Sequence, residues 1–227
     1  MSAKILEAIV IYNQDYKEND SIVKVISRNK VITFLAQGTQ KPLSKNRTSL
    51  MLLTYGEYEI FLARLNNKMS KLKKGTIIQQ INFELLSQIF LELKDILFYL
   101  SFISTSNSKF FNHLISFIQN VNKYNYFVAK TFILFHLLEL FGYKQVTDKC
   151  LECFSNKNLK TFSVAKGGFL CYLHSKKENI KTLEELKTFY YLNFDINLYL
   201  KFATPSANFK IYKEIQEFLN ENVAYFK

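Results

Sequence analysis

The sequence predicts an α+β chain: a small barrel of short strands, then a helical region interrupted by a cysteine-rich insert. Three observations predict it. Short β-branched and apolar runs recur up to Gln80, the apolar period becomes helical after Asn82, and all three cysteines fall between positions 150 and 171.

The runs ILEAIVIY, SIVKVIS and KVITFLA are separated by polar stretches such as NQDYKEND and SRN, which is how short strands and their turns read. Glu57 to Leu62 alternates in part, and LKKGTIIQQI supplies a last run. Five or six strands with turn signals roughly 8–15 residues apart suggest a closed barrel over residues 1–81. QGTQKPLSKNR, from Gln37 to Arg47, reads as a mobile basic loop between strands.

Beyond Asn82, Leu85, Leu86, Ile89, Leu93, Ile96, Leu97 and Leu100 recur at helical spacing, as do Phe110, Leu114, Phe117, Ile118 and Val121. Tyr126 to Phe141 continues as an apolar helix that Gly142 stops. Residues 82–149 therefore form the first part of a helical domain and residues 182–227 its C-terminal part. Thr182 with Glu185 makes a capping box opening the latter, and Ser206 to Val223 is a further amphipathic helix.

Between these parts, residues 150–181 hold C-x2-C at Cys150 and Cys153 and C-x2-H at Cys171 and His174, with seventeen residues between the pairs. Tetrahedral zinc takes four thiolate or imidazole ligands, and two such knuckles can close around one ion. Lys166-Gly167-Gly168-Phe169 supplies the tight turn before the second knuckle. With all four positions filled by protein, such a zinc is structural. His113 and His136 lie in apolar helical stretches and read as packed or surface residues.

The 227 residues carry 30 Lys and Arg against 19 Asp and Glu, a net +11. The charge is uneven: residues 1–83 hold +7, 84–149 hold +1, 150–181 hold +4 and 182–227 hold −1. Such an excess points to a polyanionic partner. No apolar stretch is long enough to span a membrane, and the N-terminal run carries Glu7 and lacks a cleavage site, so a cytoplasmic protein is expected. The P-loop, G-x-S-x-G, H-E-x-x-H and zinc-deaminase patterns are all missing, and carboxylates are scattered. A binding protein is expected, not an enzyme.

Cations cluster at Lys41, Lys45 and Arg47 on the loop and at Arg64, Lys68, Lys71, Lys73 and Lys74 around the last strand, with Lys24, Arg28 and Lys30 at an earlier turn. Basic loops and aromatic rings on a small barrel are how OB-folds hold single strands. These cations are the candidate nucleic-acid-binding residues, and Tyr12, Tyr16, Phe34, Tyr55 and Tyr58 the candidate base platforms.

The chain resembles the RecO family of recombination mediators. The opening EAIVIYNQDYKENDSIVKVISRNKVITFLAQGTQKPLSKNR carries that family's strand, D-Y-x-E-x-D-x-I turn and glycine-containing basic loop, through Asp15, Tyr16, Glu18, Asp20, Ile22, Gly38, Pro42 and Ser44. LLELFGYKQVTDKCLECFSNKNLKTFSVAKGGFLCYLH resembles its helix-G-Y segment running into a zinc finger. Two departures stand out: Gln37 and Gln40 replace basic-loop residues closer to K-G-x-R, and His174 replaces a last cysteine.

The resemblance implies an N-terminal OB domain and a helical domain with an inserted zinc finger. It implies binding of ssDNA and dsDNA, annealing of complementary strands and, with RecR, loading of RecA onto DNA coated by single-strand-binding protein (SSB), whose acidic C-terminal tail meets the helical domain. A nucleoid-associated cytoplasmic DNA repair protein follows. The alternatives from other classes are an RNA-binding barrel and zinc-ribbon protein and a non-enzymatic interaction scaffold.

Overall fold

Strand β1, Ala3–Tyr16, buries Ala8, Ile9, Val10 and Ile11, and pairs antiparallel with β2, Asp20–Ile26. Strand β2 pairs with β3, Val31–Ala36, while β4, Tyr55–Phe61, pairs with β1 and with β5, Ser70–Gln79. A parallel pairing of β3 with β5 closes the barrel in the order β1-β2-β3-β5-β4. The computed structural model describes residues 3–63, 68–175 and 180–223.

Alternation sends Val10, Val23, Val25, Phe34, Ala36, Tyr58 and Ile60 into the barrel, as period-2 strands with one wet face require. Fully burying a side chain the size of Val, Ile or Phe stabilises the fold by about 1.5–3 kcal/mol before ordering entropy is subtracted. Leu50, on a 3-10 turn over Thr48–Leu50, packs into the same cluster. Tyr58 Oη donates to the Ser49 carbonyl at 2.7 Å, tying that turn to the core. Gly75 permits the approach, because a Cβ there would lie 2.4 Å from Ser49 Oγ.

The first helical run is split. Helix α1, Phe83–Ile89, and α2, Lys94–Phe102, flank a 3-10 turn at Leu91–Leu93, and α3 spans Ser108–Asn120 with Asn107 capping it through Phe110 N–H. These helices group with the barrel in a compact unit over residues 1–123, and residues 124–227 form a second. Lys24 Nζ donates to the Ser101 carbonyl at 2.6 Å, and Arg28 Nη1 to Asn112 Oδ1 at 3.0 Å, fastening α2 and α3 to β2 and its turn.

In the second unit, α4, Tyr126–Leu140, is buried at every position from Ala129 to Leu138. A helix apolar all round belongs at the centre of its unit. Its buried cation, Lys130, reaches Tyr212 Oη at 3.4 Å and lies over that ring. His136 packs edge-on against Phe132 and Phe135, as a core histidine. Gly142 follows α4 at φ +92°, a left-handed stop that glycine tolerates best.

Helix α5, Leu183–Tyr191, opens on Thr182 with both bonds of the capping box formed. Helix α6, Ile196–Phe202, is capped by Asp195, and α7, Pro205–Asn222, by Thr204. Helices α6 and α7 pack on α4, joined by a bond from Tyr199 Oη to Asn208 Oδ1 at 2.7 Å. Between α4 and α5 the chain makes a hairpin of β6, Leu159–Ser163, and β7, Gly168–Cys171. Among the described residues no helix is long and apolar enough to cross a membrane.

Candidate metal centre and nucleic-acid interface

Each ligand pair sits on its own backbone turn. At the first, Phe154 N–H donates to the Cys150 carbonyl at 3.0 Å and Cys150 N–H to the Ser155 carbonyl at 2.8 Å. At the second, β7 ends on Cys171, whose carbonyl accepts from His174 N–H at 3.1 Å and Ser175 N–H at 2.8 Å. All four ligand atoms of Cys150, Cys153, Cys171 and His174 lie within 4.8 Å of one another.

The separations fit a tetrahedral ion. Bonds of about 2.3 Å to sulfur and 2.0–2.1 Å to nitrogen put tetrahedral S···S edges near about 3.8 Å and S···N edges near about 3.5 Å. Cys153 Sγ to Cys171 Sγ is 3.8 Å, Cys150 Sγ to His174 Nδ1 is 3.6 Å and Cys171 Sγ to His174 Nδ1 is 3.2 Å. All three thiols are free.

Electrostatics favour a cation here. Burial opposes ionisation of Cys150, but backbone donors from Cys153, Cys171 and Glu152 outweigh it and bring the thiol down to about 6. Cys171 is likewise lowered, against burial, by the backbone and imidazole of His174. A backbone donor at Ser155 assists the Cys153 thiolate, yet burial and the neighbouring sulfurs push that thiol up. His174 is raised by its bonds to Cys171 and Cys150. Anionic sulfurs crowded this closely repel, and a divalent ion removes that repulsion.

Two glycines shape the hairpin that carries Cys171. Gly167 and Gly168 take φ +96° and +140°, and a Cβ on Gly168 would meet the Val146 carbonyl oxygen at 2.1 Å. That closeness lets Phe169 N–H reach the same carbonyl at 3.0 Å. The hairpin then docks on α5, where Phe162 stacks on Phe189 at 4.1 Å and Phe169 meets it edge-on at 5.1 Å.

On the barrel the candidate cations separate. Lys24 is half-buried and spent on the Ser101 carbonyl, and burial lowers its pKa. Arg28 is held by Asn112, by Glu7 at 3.9 Å and over the Phe111 ring. Lys73 pairs with Glu59 at 2.6 Å. Lys30, Lys41, Lys45, Arg47, Lys68, Lys71 and Lys74 are exposed. Arg64 lies outside the described residues.

A β-bulge decides the outer row of β5. Glu59 pairs with Lys74 and Ile60 with Leu72, leaving Lys73 as the extra residue. Lys73 and Lys74 are consequently both exposed, where strict alternation would turn one inward.

Two of the candidate rings are corrected. Phe34 and Tyr58 are fully buried in the barrel core and offer no face to a base. Tyr16 is 40% exposed, whereas Tyr55 is half-buried, donates to Glu7 and lies edge-on to Phe111. The basic loop is anchored at its base: Gly38 N–H donates to Asp20 Oδ1 at 2.9 Å, Thr39 and Ser21 hydroxyls bond at 2.8 Å, and Gln40 Nε2 bonds Asp15 and Ser21. Gln40, which stands where the resemblance expects a basic-loop residue, is here a structural tie.

A closed five-stranded barrel with an exposed cationic strand, followed by helices and an insert that brings Cys150, Cys153, Cys171 and His174 together on paired turns, defines an α+β protein with a candidate metal knuckle. Comparison places it further. Residues 1–81 match the family described as Recombination protein O N terminal and residues 104–220 that described as Recombination protein O C terminal. The chain belongs to the RecO family.

Its relatives include the DNA repair protein RecO of Mesoplasma florum, 30% identical over 186 residues, 75% of this chain and 67% of the relative. RecO of Bacillus cereus is 28% identical over 185 residues, 76% of this chain and 71% of that protein. RecO of Bacillus anthracis is 28% identical over 188 residues, covering 78% and 72%.

Proposed function

We propose that this protein is a non-enzymatic mediator of DNA repair and homologous recombination. It binds ssDNA and dsDNA, anneals complementary strands and, with RecR, helps load RecA onto SSB-coated DNA in the cytoplasm, at the nucleoid. The barrel order and the parallel β3–β5 closure support an OB-fold. The observation that carries the reading is the exposed cationic row of Lys71, Lys73 and Lys74 on β5, with Lys41, Lys45 and Arg47 on the adjoining loop.

Strand binding works by exchange of counterions. Each neutralised phosphate of a single strand contributes a slope of about −0.7 to the log-log salt dependence. Two strands held on one cationic surface repel each other less, which lowers the barrier to pairing. Cys150, Cys153, Cys171 and His174 would hold a zinc ion that fixes the insert, with no open position for a reacting water. RecR and the SSB tail enter as partners through the family.

The test is annealing of complementary oligonucleotides, bare and SSB-coated, by the wild-type chain and by K71E/K73E/K74E. Loss of annealing together with a shallower salt slope in the triple variant is expected. Unchanged affinity and slope would overturn the assignment of this row.

A further inference from the structure

Phe154, directly after the second ligand of the first knuckle, takes φ +58°. That left-handed conformation suits glycine and is disfavoured for a bulky side chain. The turn imposes it, since Phe154 N–H must reach back to the Cys150 carbonyl. The ring gives the core little in return, being 69% exposed. A strained, exposed aromatic at a position where glycine would fold better marks a place that contacts something else.

Phe154 opens onto a cleft of about 730 Å³ between the knuckle and α5, within the second unit. Tyr190, 40% exposed, and Lys187 line it from α5, and Ser155 and Asn156 line it from the knuckle turn. Lys149 Nζ sits 5.6 Å from the Phe154 ring centroid. Asp148 is the one carboxylate among the described lining residues, against the two lysines, and the segment 150–181 carries a net +4. Leu159, Leu183 and Leu186 complete an apolar part of the lining. Exposed rings beside cations and small polar groups are what an unpaired strand uses: stacking for the base, charge for the phosphate, donors for base edges.

We propose that this cleft is a second single-strand DNA site, a base-stacking slot built on Phe154 and Tyr190 with Lys149 and Lys187 on the backbone. It rests on the DNA-binding reading of the chain but not on the barrel's cationic row. The slot takes nucleotides without sequence preference, because every base presents a stacking face.

The key variant is Phe154→Gly. Glycine relieves the backbone, so the melting temperature should hold or rise, while affinity for a fluorescein-labelled dT oligonucleotide should fall about ten-fold, the scale of one lost stacking partner. Lys187→Glu, on the exposed face of α5, should weaken binding without loss of fold. With 5-iododeoxyuridine in the oligonucleotide, photocrosslinks should map to the peptides holding Phe154 or Tyr190 and should persist in K71E/K73E/K74E. Their persistence there, with annealing lost or unchanged, separates this slot from the barrel reading. Wild-type affinity in both Phe154→Gly and Lys187→Glu, or crosslinks confined to residues 1–123, overturns the slot. Loss of binding to a labelled acidic aromatic peptide, with oligonucleotide affinity intact, would make it a peptide groove and equally overturn it.

Discussion

Lys73 Nζ stands 2.6 Å from Glu59 Oε1 across the β4–β5 ladder, so one of the three cations in the β5 row is already neutralised in the free protein. Both groups are partly solvated, and such a pair contributes at most about 1 kcal/mol to stability. DNA must compete with Glu59 for this lysine.

Glu59→Gln is therefore expected to bind ssDNA more tightly, by up to about five-fold, the equivalent of that pair energy. The salt slope should steepen by about 0.7 as one more phosphate is neutralised. Anisotropy titrations across a salt series measure both, and an unchanged slope together with an unchanged affinity would show that Lys73 stays off the DNA.

Metal removal should act on folding. Cys150→Ser, or the wild-type chain after prolonged chelation, should melt at lower temperature and bind less than one zinc, because ligation energy at such a site is folding energy. His174→Cys, a ligand swap that keeps four zinc donors, should retain the metal. Zinc content by atomic emission and melting by circular dichroism report the outcome, and an unaltered melting temperature in Cys150→Ser would remove the structural metal.

The capping box at α5 makes a pH prediction. Burial opposes ionisation of Glu185, but the Thr182 backbone and hydroxyl and the Lys210 ammonium, 3.0 Å away, outweigh it, so its carboxyl is lowered. A depressed folded-state pKa contributes stability above the unfolded value, about 4.3, and loses it as pH falls through the folded value. Glu185→Gln should be less stable than wild type at pH 7, with the gap narrowing in acid. Thr182→Ala removes the cap as well and should cost about 1 kcal/mol at neutral pH. Urea melts at neutral and acidic pH measure both.

Gly168→Ala should destabilise the second unit by more than about 2 kcal/mol, since it adds a strained φ to a steric conflict with the Val146 carbonyl. Gly142→Ala, where a Cβ meets nothing within 4 Å, keeps only the backbone penalty and should be milder. Equal losses for the two would argue against the close β7 contact.

The strands of the barrel, the α4 and α7 helices and the α5 capping box were legible because each rests on local periodicity or a local cap. That Cys150, Cys153, Cys171 and His174 converge was legible because spacing within a knuckle is itself geometric. What a linear pattern lacks is the direction of each face after closure. Phe34 and Tyr58 look like Tyr16 in the sequence and differ only in which side of the barrel they meet. The bulge at Lys73 arises from register with Glu59 and Ile60, and no residue type announces it. Helix α6 spans only Ile196–Phe202, too short for periodicity, although Asp195 ahead of it is a visible cap. Strands β6 and β7 are shorter still and are held by the docking of Phe162 and Phe169 on α5.

The hairpin and its knuckles interrupt the chain between α4 and α5, which must come together around one core with roughly forty residues looped out. Loop closure grows as about 1.5 RT times the logarithm of loop length. A metal joining positions 150 and 174 short-circuits more than half of that excursion, an entropic gain of about 0.7 kcal/mol on that scaling. The ion would then act as a folding catalyst as well as a clamp: refolding of the helical unit should be faster with zinc present from the start than with zinc added after the helices have formed.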